Sequence, residues 1–127
     1  MGADIKGVGT ETLIIKGVKE LVAADIEIIP DRIEAGTFLI AGALLGEIKV
    51  EDVIPEHLEN VINKLRDTGC KLKSTKNSIT IIPPKDIKPV DMTTAVFPGF
   101  PTDLQAQWVA LMSLAEGSSV VTDTVYH

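Results

Sequence analysis

Cysteine and histidine are scarce in this sequence. Its 127 residues include one cysteine, Cys70, and two histidines, His57 and His127. A single cysteine excludes an internal disulfide, and the two histidines are too widely separated in the sequence to form a metal site with it. We therefore expect neither a bound metal nor another cofactor.

Long apolar runs and clusters of positive charge are also missing. Charged residues interrupt every apolar run before it could cross a bilayer, and residues 1–10 lack the apolar core of a signal peptide. The net charge is -6 and the 12 Lys and Arg residues are scattered, whereas a nucleic-acid surface needs them clustered. With 45% hydrophobic residues the chain can still bury a core. We expect a soluble, cytoplasmic domain that binds neither membranes nor nucleic acids.

Helix start and stop signals predict two helices in the first half of the chain. The first covers residues 31–45, because Asp31 and Glu34 have the spacing of a capping box and Gly46 is placed to end the helix. The second covers residues 55–68, where apolar residues recur at helical spacing. Each helix is expected to bury one face.

A third helix is predicted after Pro101. Thr102 and Gln105 repeat the capping-box spacing, and Gly117 is placed to end the helix. Short stretches rich in β-branched residues between the helices predict strands, and the fold class is therefore α/β or α+β. The predicted strands cover residues 12–15, 26–29, 48–50, 71–74, 78–82 and 119–125.

The second half of the chain resembles the first. A shift of 71 residues places Pro30 on Pro101 and Gly46 on Gly117 without a gap, and the predicted helix ends coincide. Asp52 then falls on Asp123. The pattern predicts a repeated structural unit, and such units bury their faces against their neighbours.

A second alignment, with a shift of 67 residues, places residues 2–15 on residues 69–82. The repeat unit then reads strand, helix, strand, helix, strand, strand. We expect residues 1–17 to be the closing hairpin of a preceding unit, residues 18–88 a complete unit, and residues 89–127 the first half of a following unit. Units left incomplete should expose apolar surface, and a homo-oligomer that pairs the unfinished edges would cover it.

Two segments carry a resemblance to a known family. Residues 97–107 read Phe-Pro-Gly-Phe-Pro-Thr-Asp-Leu-Gln-Ala-Gln, and residues 29–38 read Ile-Pro-Asp-Arg-Ile-Glu-Ala-Gly-Thr-Phe. Both resemble signatures of the enolpyruvyl transferases that act on UDP-N-acetylglucosamine, in the expected order and at the expected distance. Residues 65–69 and 115–125 fit the same pattern, so the resemblance covers nearly the whole chain.

The resemblance implies a two-domain enzyme built from such repeat units, with both ligands bound between the domains. Such an enzyme transfers the enolpyruvyl group of phosphoenolpyruvate to the 3-hydroxyl of UDP-N-acetylglucosamine in peptidoglycan synthesis. This chain would be an internal piece of it and would lack the family's phosphate-binding Lys and Arg residues, so we expect it to be inactive alone. Two alternatives remain: the related transferase for shikimate phosphate, and a non-catalytic repeat module that binds proteins.

The resemblance also implies roles for three residues, and the position of Arg32 at a predicted helix start suggests a fourth. Asp103 matches the family's general base, although an Asp at a helix start is also favoured by the helix dipole. Val125 and Tyr126 match positions that contact the nucleotide sugar through backbone and a packed ring, or they simply end a core strand. Arg32 could hold an anionic group, although surface pairing with a carboxylate such as that of Glu34 is the more common arrangement.

Two further features have ordinary structural explanations. The family's reactive cysteine lies in a stretch that this chain does not contain, so Cys70 is expected to be a small buried apolar residue. Residues 7–11 begin like a dinucleotide-binding fingerprint but lack its third glycine, which favours a turn between strands.

Overall fold

A computed structural model describes residues 1–126, and His127 lies outside the described residues. The described chain alternates short strands with three helices, in agreement with the predicted mixed class. In chain order the elements are β1 (Asp4–Lys6), β2 (Ile14–Lys16), α1 (Arg32–Leu45), β3 (Ile48–Glu51), α2 (Glu59–Asp67), β4 (Lys71–Ser74), β5 (Ser78–Ile82), β6 (Met92–Thr93), α3 (Gln105–Met112) and β7 (Val121–Thr122), with 3₁₀ turns at Pro55–Leu58 and Thr102–Leu104.

Helix α1 begins and ends where the sequence predicts. The Asp31 carboxylate accepts hydrogen bonds from the backbone N–H groups of Ile33, at 2.7 Å, and Glu34, at 3.4 Å. These bonds satisfy donors that a helix start leaves without partners. At the other end Gly46 has φ 140°, a backbone conformation that side-chain-bearing residues rarely adopt.

Helix α2 begins with one tighter turn. The predicted helix over residues 55–68 is observed as the 3₁₀ turn Pro55–Leu58 followed directly by α2, with Pro55 in the first turn where it loses no hydrogen bond. Gly69 follows with φ 100°. The predicted apolar face is buried: Leu58, Val61, Ile62 and Leu65.

One antiparallel sheet, in the order β3-β5-β4, supports these two helices. Central strand β5 places Ile79 opposite Val50 of β3 and Ile81 opposite Leu72 of β4. Helix α1 crosses the sheet at Gly42, where a Cβ atom would lie 2.5 Å from the Ile81 side chain. The absence of a side chain at Gly42 therefore lets helix and sheet approach closely.

The second half of the chain forms a parallel pair of strands joined through a helix. β6 and β7 pair in parallel, and α3 lies between them in the sequence. The predicted capping box at Thr102 and Gln105 is wrong, because the entry turn is 3₁₀ and the Gln105 N–H bonds the backbone carbonyl of Thr102. The helix also ends at Met112, before Gly117.

A single apolar core joins both halves. Trp108 of α3 is fully buried, and its ring meets that of Phe100 edge-on with centroids 5.4 Å apart. Across the contact between helices, the Gln107 side-chain amide donates to the Thr37 hydroxyl at 3.1 Å. The beginnings of α1 and α3 therefore lie side by side, and residues from both halves share the interior.

Residues 1–31 lie outside this core and are exposed almost throughout. β1 and β2 form the predicted hairpin, joined by the predicted turn, in which Gly7 and Gly9 both have positive φ. The predicted strand over residues 26–29 is wrong, because no neighbouring strand takes its backbone hydrogen bonds. Apolar side chains such as Ile15, 68% exposed, present the apolar surface that incomplete units were expected to leave.

Candidate functional site

Asp103 lies on a turn that the core holds in place. The turn Thr102–Leu104 precedes α3, and the Leu104 N–H donates to the carbonyl of Pro101 at 3.1 Å. Leu104 is fully buried, whereas its neighbour Asp103 is exposed. A fixed backbone thus presents the Asp103 carboxylate at the surface of the described chain, where it is open to a ligand.

The segment after β7 is folded around the carboxylate of Asp123. One oxygen, Oδ1, accepts hydrogen bonds from the hydroxyl of Thr94 at 2.7 Å, the N–H of Val125 at 2.9 Å and the N–H of Tyr126 at 3.4 Å. The two residues predicted to contact a nucleotide sugar therefore have their backbone positions set by one side chain.

Neither Val125 nor Tyr126 belongs to the core. β7 ends at Thr122, so the alternative that the two residues end a core strand is wrong. Val125 is half-buried, and the Tyr126 side chain is 73% exposed. The described chain leaves most of this ring open, and the packed ring expected against a nucleotide sugar stays a prediction.

Thr94 connects this segment to the turn that carries Asp103. On one side its N–H donates to the carbonyl of Thr122 at 2.9 Å. On the other side it pairs with Phe100, and the N–H of the next residue, Ala95, donates to the Phe100 carbonyl at 2.9 Å. Phe100 lies three residues before Asp103, so backbone hydrogen bonds link the two parts of the candidate site.

Arg32 does not form the ion pair that was favoured for it. Within residues 1–126 the ion pair observed joins Lys49 and Glu51, and no hydrogen bond links Arg32 to Glu34. The guanidinium instead lies 5.3 Å from the centre of the Phe97 ring. A cation over a ring face is attracted by the ring quadrupole, and the guanidinium keeps its donors for another anion.

The Arg32 and Phe97 pair lines a cleft of about 520 Å³. The His57 ring meets Phe97 edge-on with centroids 6.2 Å apart, and the Asn60 side-chain amide donates to the backbone carbonyl of Pro98. These contacts join the loop before α3 to the beginning of α2. The cleft is lined by Ile29, Pro30, Asp31, Arg32, Ile33, His57 and Phe97.

A second cavity, larger at about 810 Å³, also lies at the beginning of α1. Its charged lining is mainly acidic, which disfavours a phosphate-bearing ligand, and it includes none of the four predicted site residues. The charged lining residues are Glu27, Asp31, Glu34, Glu51, Asp52 and Lys76.

Cys70 is a buried apolar residue, as predicted. Its side chain is 4% exposed, and burial raises the pKa of the thiol, although a hydrogen bond from the Thr68 hydroxyl at 3.4 Å opposes the shift. The neutral thiol is therefore favoured, and a neutral thiol is a poor nucleophile.

Residues 1–126 contain no group of three or more His, Cys, Asp or Glu side chains placed to hold a metal ion. None of the helices described is both long and apolar enough to span a bilayer.

No role was predicted for Thr94, Asp123 or Phe97. Phe97 and Asp123 lie in segments that resemble the family, and Asp123 is also the repeat counterpart of Asp52. Its partner Thr94 is 29 residues away and was not marked by any motif. Only the pairing of β6 with β7 brings the two side chains together.

A solved structure identifies the class of protein to which this fold belongs. The chain matches the enolpyruvyl transferase NikO from Streptomyces tendae with a TM-score of 0.76 and 28% sequence identity, over 94% of this chain and 31% of that protein. Its fold is therefore the α/β fold of the enolpyruvyl transferases.

The family follows from sequence. Residues 1–126 match the family model for EPSP synthase (3-phosphoshikimate 1-carboxyvinyltransferase), and the chain belongs to that family. It is 53% identical over 99% of its length to UDP-N-acetylglucosamine 1-carboxyvinyltransferase 2 of Bacillus subtilis, and 53% identical to the UDP-N-acetylglucosamine 1-carboxyvinyltransferase of Parasynechococcus marenigrum. The chain spans about 30% of the length of these relatives.

Proposed function

We propose that this chain forms part of a cytoplasmic enzyme that transfers the enolpyruvyl group of phosphoenolpyruvate to the 3-hydroxyl of UDP-N-acetylglucosamine and releases phosphate. This is the first committed step of peptidoglycan synthesis. One observation carries the proposal: Thr94 and Phe100 link the turn that bears Asp103 to the backbone at residues 125–126. Relatives of the chain are named for this activity.

Asp103 has the role of general base. The sugar hydroxyl attacks the unsaturated carbon that carries the phosphate while the neighbouring methylene carbon takes up a proton, and a carboxylate within hydrogen-bond reach removes the hydroxyl proton. The methylene carbon then gives up a proton as the carbon–oxygen bond to phosphate breaks, which re-forms the double bond and releases phosphate. Val125 and Tyr126 contact the nucleotide sugar, with the Tyr126 ring open to a ligand. Arg32, which is not paired with Glu34, contributes positive charge for an anionic group. The remaining cationic groups that stabilise developing charge come from outside residues 1–127.

The repeat organisation is part of the same proposal. Residues 1–17 serve as the closing hairpin of one unit, residues 18–88 correspond to a complete unit, and residues 89–127 begin the next. The first strand of the second unit, predicted at residues 26–29, is not formed in this chain. The hairpin and the parallel pair β6 and β7 are each two-stranded, whereas residues 48–82 form a three-stranded sheet, and this difference supports the division. The 127-residue chain alone is expected to be inactive.

Self-association is the expected behaviour of the chain in isolation. β1, β2 and the segment up to residue 30 expose many large apolar side chains, and both strands of the hairpin have an unpaired edge. A second copy can cover such a surface and pair with such an edge. We propose a homo-oligomer formed through these residues.

A chimaeric enzyme tests the proposed activity. Residues 1–127 replace the aligned segment of the Bacillus subtilis relative, and phosphate release is measured with phosphoenolpyruvate and UDP-N-acetylglucosamine. We expect an active chimaera, and Asp103→Asn should lower kcat by about a hundredfold or more, because the general base is lost. Asp86→Asn, at another exposed aspartate, is the matched control and should leave kcat unchanged.

Three results would contradict parts of the proposal. Activity with 3-phosphoshikimate in place of UDP-N-acetylglucosamine would assign the chain to the other transferase that the family name describes. A folded chimaera with neither activity would favour a non-catalytic repeat module. Equal kcat values for the two aspartate variants would remove Asp103 from the mechanism.

A further inference from the structure

Thr94 is a buried polar residue between strand β6 and the loop that leads to Phe100. It follows β6 directly, it is fully buried, and its hydroxyl both donates to Asp123 Oδ1 at 2.7 Å and accepts from the Thr124 N–H at 3.2 Å. The Thr124 hydroxyl in turn donates to the Thr94 carbonyl at 2.5 Å. A buried hydroxyl that is satisfied in this way fixes its partners, since breaking the network leaves desolvated groups unpaired.

The Asp123 carboxylate extends this network to the ligand-binding backbone. Its Oδ1 atom holds the Thr94 hydroxyl on one side and the N–H groups of Val125 and Tyr126 on the other. Hydrogen bonds to a charged acceptor are roughly twice as strong as neutral ones. The backbone that follows β7 therefore turns at a position set by Thr94.

The repeat-related position shows that an aspartate alone does not produce this arrangement. Asp52 falls on Asp123 with the shift of 71 residues, and Ala23 falls on Thr94. Ala23 has no hydroxyl to donate, residues 1–31 do not pair with β3, and the Asp52 side chain makes no hydrogen bond within the described chain. The network belongs to the half of the molecule that carries Asp103.

We infer that Asp123 and Thr94 are positioning residues that couple the nucleotide-sugar contacts at Val125 and Tyr126 to the turn bearing Asp103. The inference rests on the proposed function, because it assigns the pair a role in that substrate site. Thr94 reaches the Asp103 turn through its pairing with Phe100. Neither positioning residue has to touch the substrate for its loss to weaken binding.

Amide hydrogen exchange of the full 127-residue chain tests the coupling without a ligand. Asp123→Ala and Thr94→Val should each accelerate exchange at the Val125 and Tyr126 N–H groups by about tenfold, because the carboxylate no longer holds them. Thr94→Ser retains the hydroxyl and should restore protection. Thr93→Val, at the neighbouring exposed threonine, and Asp52→Asn are the matched controls and should leave both amides unchanged.

A titration with UDP-N-acetylglucosamine, followed by amide shifts, tests the link to the site. Thr94→Val should raise Kd about fivefold or more, with Thr94→Ser and Thr93→Val close to the unmodified chain. Protection of the buried Leu111 amide reports whether each variant remains folded, and Asp123→Asn provides a milder replacement where Asp123→Ala does not fold.

The outcomes separate this inference from the proposed function. Unchanged exchange at Val125 and Tyr126 in the folded variants overturns the coupling, whatever the ligand does. Accelerated exchange with an unchanged Kd overturns the role in substrate binding. If the unmodified chain gives no shifts at millimolar UDP-N-acetylglucosamine, the proposed substrate site fails in this chain. The role in substrate positioning then fails with it, and the exchange rates still decide whether the pair holds the backbone.

Discussion

Leu104 packs against Gly36, so closely that a Cβ atom on residue 36 would lie 2.5 Å from Leu104 Cδ1. Leu104 is fully buried beside the exposed Asp103, and Gly36 lies in α1 close to Arg32. This contact brings the beginnings of the two helices together. The positions of the candidate base and the candidate anion-binding residue therefore depend on a glycine.

The first prediction concerns that contact. Gly36→Ala should lower the free energy of unfolding by about 1 kcal/mol or more, since overpacking a core costs roughly 1–3 kcal/mol and outweighs the better helix propensity of alanine. Urea unfolding followed by Trp108 fluorescence measures the change. In a Leu104→Ala background the same substitution should cost much less, and an equal cost in both backgrounds would show that Leu104 is not the obstacle.

The second prediction concerns the start of α1. Asp31→Ala should reduce stability by about 1 kcal/mol, because the helix loses the acceptor for the Ile33 and Glu34 N–H groups. Asp31→Asn retains a side-chain oxygen and should remain close to the unmodified chain. Thermal or urea unfolding distinguishes the two variants, and a large loss with Asn would indicate that the negative charge matters more than the hydrogen bonds.

The third prediction uses the raised pKa of Cys70. A thiol reagent should label the folded chain at least tenfold more slowly than the urea-unfolded chain, because burial disfavours the thiolate. Rapid labelling of the native chain would contradict the burial seen here.

The same pKa shift gives stability a defined pH dependence. Below the unfolded pKa of about 8.5 the thiol is neutral in both states, and its contribution is fully present. At higher pH the unfolded chain releases the proton first, so stability falls as pH rises toward the folded pKa. Cys70→Ala should remove this part of the decline above about pH 8.5, measured against the unmodified chain at each pH.

The fourth prediction concerns residues 1–25. Their removal should change the free energy of unfolding by less than about 0.5 kcal/mol, because these residues are exposed and contribute nothing to the core. The deletion should also reduce self-association measured by sedimentation. A matched full-length variant, Ile14→Lys with Ile15→Lys, should reproduce that reduction without shortening the chain. Self-association that survives both changes would place the interface elsewhere.

Local sequence signals predicted the helices and the central strands well. The carboxylate of Asp31, the apolar spacing around Val61 and the conformational freedom of Gly46 act within a few residues, so the sequence displays them directly. The same reasoning failed at residues 26–29. A β-branched stretch becomes a strand only when another strand takes its hydrogen bonds, and no local signal reports that partner.

The candidate site shows the same difference between features set by nearby residues and features set by distant ones. Asp103, Arg32, Val125 and Tyr126 were predicted from the motifs around them, and the structure shows where each lies. The pairing proposed for Arg32 was wrong, because Phe97, distant in sequence, lies beneath its guanidinium. The contact of Tyr126 with a nucleotide sugar stays a prediction, because the described chain leaves most of its ring exposed.

The sequence by itself determined the fold class and the family, and it predicted the candidate site residues, since these depend on side-chain type and short-range spacing. Only the tertiary structure decided that Thr94 binds Asp123 across 29 residues and that Leu104 meets Gly36. Those contacts arise because burying one shared apolar core forces strands and helices from both halves together. The order of the residues along the chain does not reveal such approaches.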